Sequence, residues 1–298
     1  MEMNTNNEPT VAAESLQTGP SLPDKPLITI KSSKKVALGF RDLWAYPDLF
    51  YFLVGRDVKM RYKQTVLGVV WAIIQPLFLT VIFTIVFSVL AGIGSDSVPY
   101  PLFAYSGLLL YVFFANAVTN SSNSLIGDPN LITKIYFPRL LLPTAAVGGG
   151  LVDLAIASVV LVMMMIYYRV GVTANIVILP VLVVLITLLA LGVGMLLAAL
   201  NVKYRDVRYL VPFLLQLTMY VSPVIYPTTI LKTILPERLH WVYGLNPLGG
   251  IIEGFRAALF GLGLDWLALS ISGVVTLGLL LCSAYIFRRM EKSFADVI

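Results

Sequence analysis

From Val66 onward the chain alternates long apolar runs with short polar or Pro/Gly-rich joints. A helical run of about 20 apolar residues crosses a hydrocarbon core roughly 30 Å thick. Six runs meet that length approximately, at 66–91, 102–118, 140–168, 176–200, 210–225 and 266–287. The fifth is short and carries Pro212 and Pro223. The pattern predicts an all-α polytopic membrane protein with six transmembrane helices. Before them, residues 1–40 show no helical or strand period and are rich in Asn, Glu, Pro, Ser, Thr and Lys, as a disordered tail would be. Residues 41–298 then form one transmembrane domain. At 42–63 an aromatic block (Trp44, Tyr46, Phe50, Tyr51, Phe52) precedes a basic one (Arg56, Lys59, Arg61, Lys63). Amphipathic rings suit the headgroup zone, so this stretch predicts an amphipathic helix lying on the membrane surface. An ordinary juxtamembrane charge cluster is the alternative.

Composition agrees with the pattern: 58% of the residues are apolar, 12% are charged, and the mean hydropathy is +0.86. No apolar core lies between a basic start and a small-residue cleavage site in the first 40 residues, so no cleavable signal is expected. With six spans and an inside amino terminus, both termini are cytoplasmic. All but four of the 21 Lys and Arg then fall on the cytoplasmic side, the exceptions being Arg169, Lys232, Arg238 and Arg256. Positive charge is retained inside in this way. The net charge of +5 is therefore a topology signal and not a sign of nucleic-acid binding. The single cysteine, Cys282, falls in the last span and excludes a disulfide within the chain.

Two joints are more than connectors. In 128–137, Asp128 caps a helix whose first position is Pro129, and Leu131, Ile132, Ile135 and Tyr136 give it a one-sided apolar patch beside Lys134. Such a patch serves either a docking partner or the membrane surface. The outward segment 227–263 is too polar to span and too apolar to be solvated, which predicts short re-entrant helices covered by protein or lining a cavity. Within it Asn246 and Pro247 open a helix on which Glu253 and Arg256 sit three apart, a spacing that permits an ion pair.

Nothing in the chain provides for catalysis. It has no phosphate-binding loop and no Gly-Lys pair, and one Cys with one His cannot make a metal cage. Catalytic and metal-ligating residues are expected to be none, and this chain holds no cofactor. Polar residues inside the spans remain. Thr80, Thr84 and Ser88 share a face of the first, and Tyr209, Phe213, Gln216 and Tyr220 form a stripe on the fifth. Rings stack on sugar C–H faces and amides bond hydroxyls, yet such stripes also pack helices. Asp153, beside Gly148, Gly149 and Gly150, is either a proton relay or the partner of a helix packed over those glycines. No further intramembrane titratable group accompanies it to make a relay.

Three stretches, RDVKMRYKQTVLGVVWAIIQP (56–76), YRDVRYLVPFLLQLTMYVSPVIYP (204–227) and NPLGGIIEGFRAALFG (246–261), stand in the order and spacing of a known family. Over roughly Phe40 to Phe287 the chain resembles the permease subunits of polysaccharide-exporting ABC transporters, which export O-antigen, capsule or teichoic acid. The resemblance implies a homodimer in the bacterial inner membrane, bound to two copies of a separate ATPase subunit that holds ATP and Mg. It implies that 128–137 is a coupling helix, with Asp128, Leu131, Ile132, Lys134, Ile135 and Tyr136 touching the ATPase. A lipid-linked glycan would pass between the two chains along the first and fifth spans. Arg56, Lys59, Arg61 and Lys63 would meet its pyrophosphate, and Asn246, Pro247, Glu253 and Arg256 would belong to an outer gate. The rival readings are a permease of the same fold for a drug or lipid, and a secondary transporter or membrane-bound glycan enzyme that needs no ATPase.

Overall fold

The computed structural model describes residues 46–63, 68–92, 94, 98–127, 131, 137–171, 173–229, 245–291 and 294. These form helices α1 (Pro47–Tyr62), α2 (Val70–Phe83), α3 (Tyr100–Gly127), α4 (Leu141–Tyr167), α5 (Leu179–Lys203), α6 (Val207–Val221), α7 (Pro247–Phe260) and α8 (Trp266–Glu291). A π-helical stretch, Thr84–Leu90, continues α2, and a 3-10 turn, Ala174–Ile178, leads into α5. No strand occurs among the described residues. The tail 1–40, the residues 41–45 and most of 128–137 and 230–244 lie outside them.

Five of the expected spans appear as helices long and apolar enough to cross a bilayer: α2 with its π extension, α3, α4, α5 with its 3-10 turn, and α8. The fifth expected span differs. Helix α6 has 15 residues, about 22 Å at 1.5 Å per residue, and stops at Ser222, whose backbone is extended. Pro223 follows directly and cannot continue a helical hydrogen-bond ladder.

The packing is concentric around α3. Of the most apolar stretch of each helix, 83% is buried in α3 and 11% in α2. Helix α3 packs against α4 and α5, α8 packs on α5, and α2 leans on α3 and α4. Small residues set the closest approaches, as they must where apolar burial alone cannot separate protein from lipid. A Cβ on Gly192 of α5 would lie 3.1 Å from the Leu280 Cα of α8. Across the bundle Tyr105 in α3 is fully buried and donates its hydroxyl to the Ala157 carbonyl of α4 at 2.8 Å.

Helix α1 lies against α4. It buries Leu53 and sets Leu49, Phe50 and Val54 on the core, while Tyr51, Phe52 and Met60 are exposed. Both of its faces therefore carry apolar groups, one for the protein and one for the surroundings.

Candidate functional site

Arg61, Tyr62 and Asp153 make a latch between α1 and α4. Gly148 and Gly149 give α1 a smooth seat: a Cβ on Gly148 would stand 3.1 Å from Val54 and 3.3 Å from Phe50. One turn further along α4, Asp153 accepts from Arg61 Nη1 at 2.6 Å and from the Tyr62 hydroxyl. Burial, and then the hydrogen bond to the carboxylate, pushes the Tyr62 phenol up to about 12, so it stays a donor. Asp153 therefore has a structural partner, the second of the two roles open to it in the sequence.

Of the four interfacial cations, Arg61 is thus committed to Asp153. Arg56 pairs with its neighbour Asp57 at 3.0 Å, whereas Lys59 and Lys63 are exposed. Behind the latch a cavity of about 40 Å³ is lined by Gln75 and Pro76 of α2, Asn116 of α3 and Asp153. Asn116 Nδ2 stands 3.5 Å from Gln75 Oε1. This hollow, large enough for water and mostly apolar apart from Gln75, Asn116 and Asp153, lies beside the proline of α2.

The two expected stripes come out differently. On α2, Thr80 is 3% exposed and donates to the Pro76 carbonyl at 2.8 Å, while half-buried Thr84 donates to the Thr80 carbonyl at 2.7 Å. These two hydroxyls bond their own helix beside its proline, as Ser and Thr commonly do in apolar surroundings. Ser88 is half-buried in the π segment, and the exposed side of α2 and its extension carries Phe78, Val81, Ile85 and Val89. On α6 the stripe is intact. Val207, Val211 and Leu215 are buried at intervals of four, and Tyr209, Phe213, Gln216 and Tyr220 are exposed. Tyr111 of α3 ties α6 to the bundle through the Leu215 carbonyl at 2.6 Å.

Beyond α6 the chain turns through Ser222–Tyr226, and α7 holds this break. Asn246 caps α7, accepting from the Gly249 amide at 3.4 Å and donating Nδ2 to Ser222 Oγ at 2.9 Å; Pro247 takes the first helical position. Glu253 accepts from the Thr228 hydroxyl. Arg256 is 3% exposed, and it donates to the carbonyls of Pro223 at 2.7 Å, Val224 at 2.5 Å and Phe103 at 3.1 Å. Its guanidinium also stacks 3.6 Å from the centroid of the Phe103 ring. A fork of fixed donors suits carbonyls that a broken helix leaves open. Gly107 makes room, since a Cβ there would overlap the guanidinium and the Val224 carbonyl. Tyr100 takes the Ile225 carbonyl at 2.6 Å. A cavity of about 220 Å³ opens beside Glu253, Arg256 and Thr228.

The sequence brings out Asn246, Pro247, Glu253 and Arg256, and the structure gathers all four along α7. It gives no sign of Tyr62, Tyr100, Gly107 or Ser222, whose partners lie far away in the chain. Of the expected coupling helix, Leu131 is half-buried against the core. Asp128, Ile132, Lys134, Ile135 and Tyr136 lie outside the described residues.

Comparison with known proteins agrees with this architecture. Residues 48–260 match the ABC-2 type transporter family. The chain is 29% identical to the O-antigen export system permease protein RfbA of Myxococcus xanthus over 261 residues, 87% of this chain and 98% of that one. It is 26% identical to a protein of the same name from Klebsiella pneumoniae, covering 84% and 95% of the two chains. With the polysialic acid transport protein KpsM of Escherichia coli it shares 24% identity over 76% and 89% of the two. A multi-pass helical bundle whose sequence matches over most of its length makes this chain a member of the ABC-2 type transporter family.

Proposed function

We propose that the chain is the membrane-spanning permease of an ATP-driven exporter that moves a lipid-linked polysaccharide, of the O-antigen class, across the bacterial inner membrane. Two copies of the chain bind two ATPase subunits, and the glycan passes between the copies. In this reading each copy crosses the membrane six times, with α6 and the Ser222–Tyr226 turn together completing the fifth crossing. Both termini are cytoplasmic.

The observation that carries the reading is the open stripe of α6. A lipid-facing helix gains nothing from an exposed amide, whereas rings at Tyr209, Phe213 and Tyr220 around Gln216 offer a sugar chain both stacking and hydrogen bonds. Because Thr80 is turned into the bundle, the proposed wall consists of α6 with the exposed side of α2. Lys59 and Lys63, the exposed cations of α1, meet the pyrophosphate of the incoming lipid. Helix α7, clamped to the break after α6, forms the outer gate, and 128–137 receives the stroke of the ATPase. ATP and Mg act in that partner, and hydrolysis is its task.

Deleting the chain tests the cargo. Lipid-linked glycan should accumulate inside the cell and disappear from its surface, with restoration by the wild-type gene. Normal surface glycan after deletion, or export of a drug or simple lipid alone, overturns the assignment.

A further inference from the structure

The far end of α8 reaches the start of α4. Arg139, two residues before α4, donates its backbone N–H to Glu291 Oε1 at 3.3 Å and Nη1 to the Glu291 carbonyl at 2.8 Å. The same Glu291 carboxylate holds Arg288 at 3.0 Å. Three residues on, Phe294 is 1% exposed and meets the fully buried Phe287 edge to face, with ring centroids 5.5 Å apart.

The arrangement answers the electrostatics of both helices at once. A helix ends with unpaired carbonyls and a negative partial charge, and begins with unpaired N–H groups and a positive one. At this junction the guanidinium of Arg139 sits on the last carbonyl of α8, and the carboxylate of Glu291 takes the Arg139 amide, two residues before α4. Each side chain thus complements the opposite helix end, and the two bonds act as a charge-assisted pair. Only Pro138 separates Arg139 from 128–137, and Phe137, the last residue of that segment, is 7% exposed. The clasp therefore grips the exit of the segment assigned to ATPase docking.

We propose that Arg139 and Glu291 form a positioning clasp, anchored by Phe294, that passes movement of the docking loop to α8, so that the last helix moves with the ATPase. This rests on the reading of 128–137 given above.

The test uses the whole complex, permease with its ATPase subunit, in lipid vesicles. Cys282 is exposed on α8 and is the only cysteine of the chain, so a spin label attached to the purified permease before the ATPase is added reports on that helix. In the wild type, ATP with vanadate should change the label's spectrum. In the double variant Arg139→Ala with Glu291→Ala, which removes both bonds, the ATPase should still co-purify, the change should vanish, and glycan exported per ATP hydrolysed should fall roughly tenfold. Glu291→Gln, which keeps an acceptor for the Arg139 amide, should fall between the two and serves if the alanine variant does not assemble. A variant that is merely less stable lowers export and hydrolysis by the same factor and leaves their ratio alone. That outcome, loss of the ATPase from the complex, a wild-type label silent to ATP, or an unchanged label response in both variants overturns the clasp. A wild-type label that responds to ATP in a complex exporting no glycan overturns the proposed cargo and leaves the clasp standing.

Discussion

Asp153 shows how one residue in a membrane helix acquires its meaning from a distant part of the chain. A carboxylate inside an apolar helix is costly to leave unpaired, and Arg61 and Tyr62 remove that cost together. The side chains of Arg61 and Asp153 are about a quarter exposed, which tempers the energy. Arg61→Met should destabilise the chain by about 1–3 kcal/mol in detergent unfolding. Adding Asp153→Asn should cost less than the sum of the two single changes, because the second removes the charge that the first orphaned. Additive losses would show that the pair does not act as a unit. The Tyr62 phenol, raised from 10.0 to about 12, binds its proton more tightly when folded. Its contribution is therefore complete below pH 10 and is lost as the pH rises through about 12. Tyr62→Phe should reduce the loss of stability above pH 10, measured against the wild type. Arg61 was legible only as one cation in a cluster, since no local spacing links it to a residue 92 positions away.

At the scale of elements, α6 and α7 divide the work. The period of four in α6 was legible in the sequence, and burial of Val207, Val211 and Leu215 decides which side is open. Phe213→Ala and Tyr220→Ala should each lower glycan export roughly tenfold with ATPase binding intact, the loss expected for about 1–1.5 kcal/mol of aromatic contact. Export at the wild-type rate in both would remove α6 from the wall. Helix α7 works through Arg256, which ties two carbonyls of the helix break after α6 to the Phe103 carbonyl of α3. Arg256→Met should destabilise by about 2–4 kcal/mol, seen as a lower melting temperature, because the Pro223 and Val224 carbonyls lose this donor inside the bundle. Arg256→Lys should recover only part, since a point charge cannot match a planar fork. Equal behaviour of Lys and Arg would contradict the geometry. The sequence spacing of Glu253 and Arg256 permitted a pair with each other, yet both also reach outward to the loop that follows α6. Helical spacing says which residues share a face and cannot say what that face will meet.

For the whole molecule, the proposed pairing of two copies would use the side on which α2 and the stripe of α6 lie open. Helix α2 and the stripe of α6 remain largely open in a single chain, whereas α3 is enclosed. With Cys282→Ser as background, Val89→Cys on the extension of α2 should cross-link between copies, and Val274→Cys, exposed on α8, should not. The reverse result would place the dimer contact on the other side. The membrane class, the helical fold, five of the long helices and the family were determined by sequence alone, because a bilayer makes length and hydropathy almost sufficient to define a spanning helix. The basic run from Arg56 to Lys63 was equally plain. Its partition was not: Arg61 turns to Asp153, Arg56 to Asp57, and Lys59 and Lys63 stay open. The shortness of the fifth run was already plain, whereas Thr80 turned inward and the meeting of Arg139 with Glu291 were not. Each depends on which helix lies beside which, and apolar helices in lipid carry little one-dimensional trace of their neighbours. Tertiary structure decides those partnerships through a few close approaches at glycines and a few polar groups that must find each other.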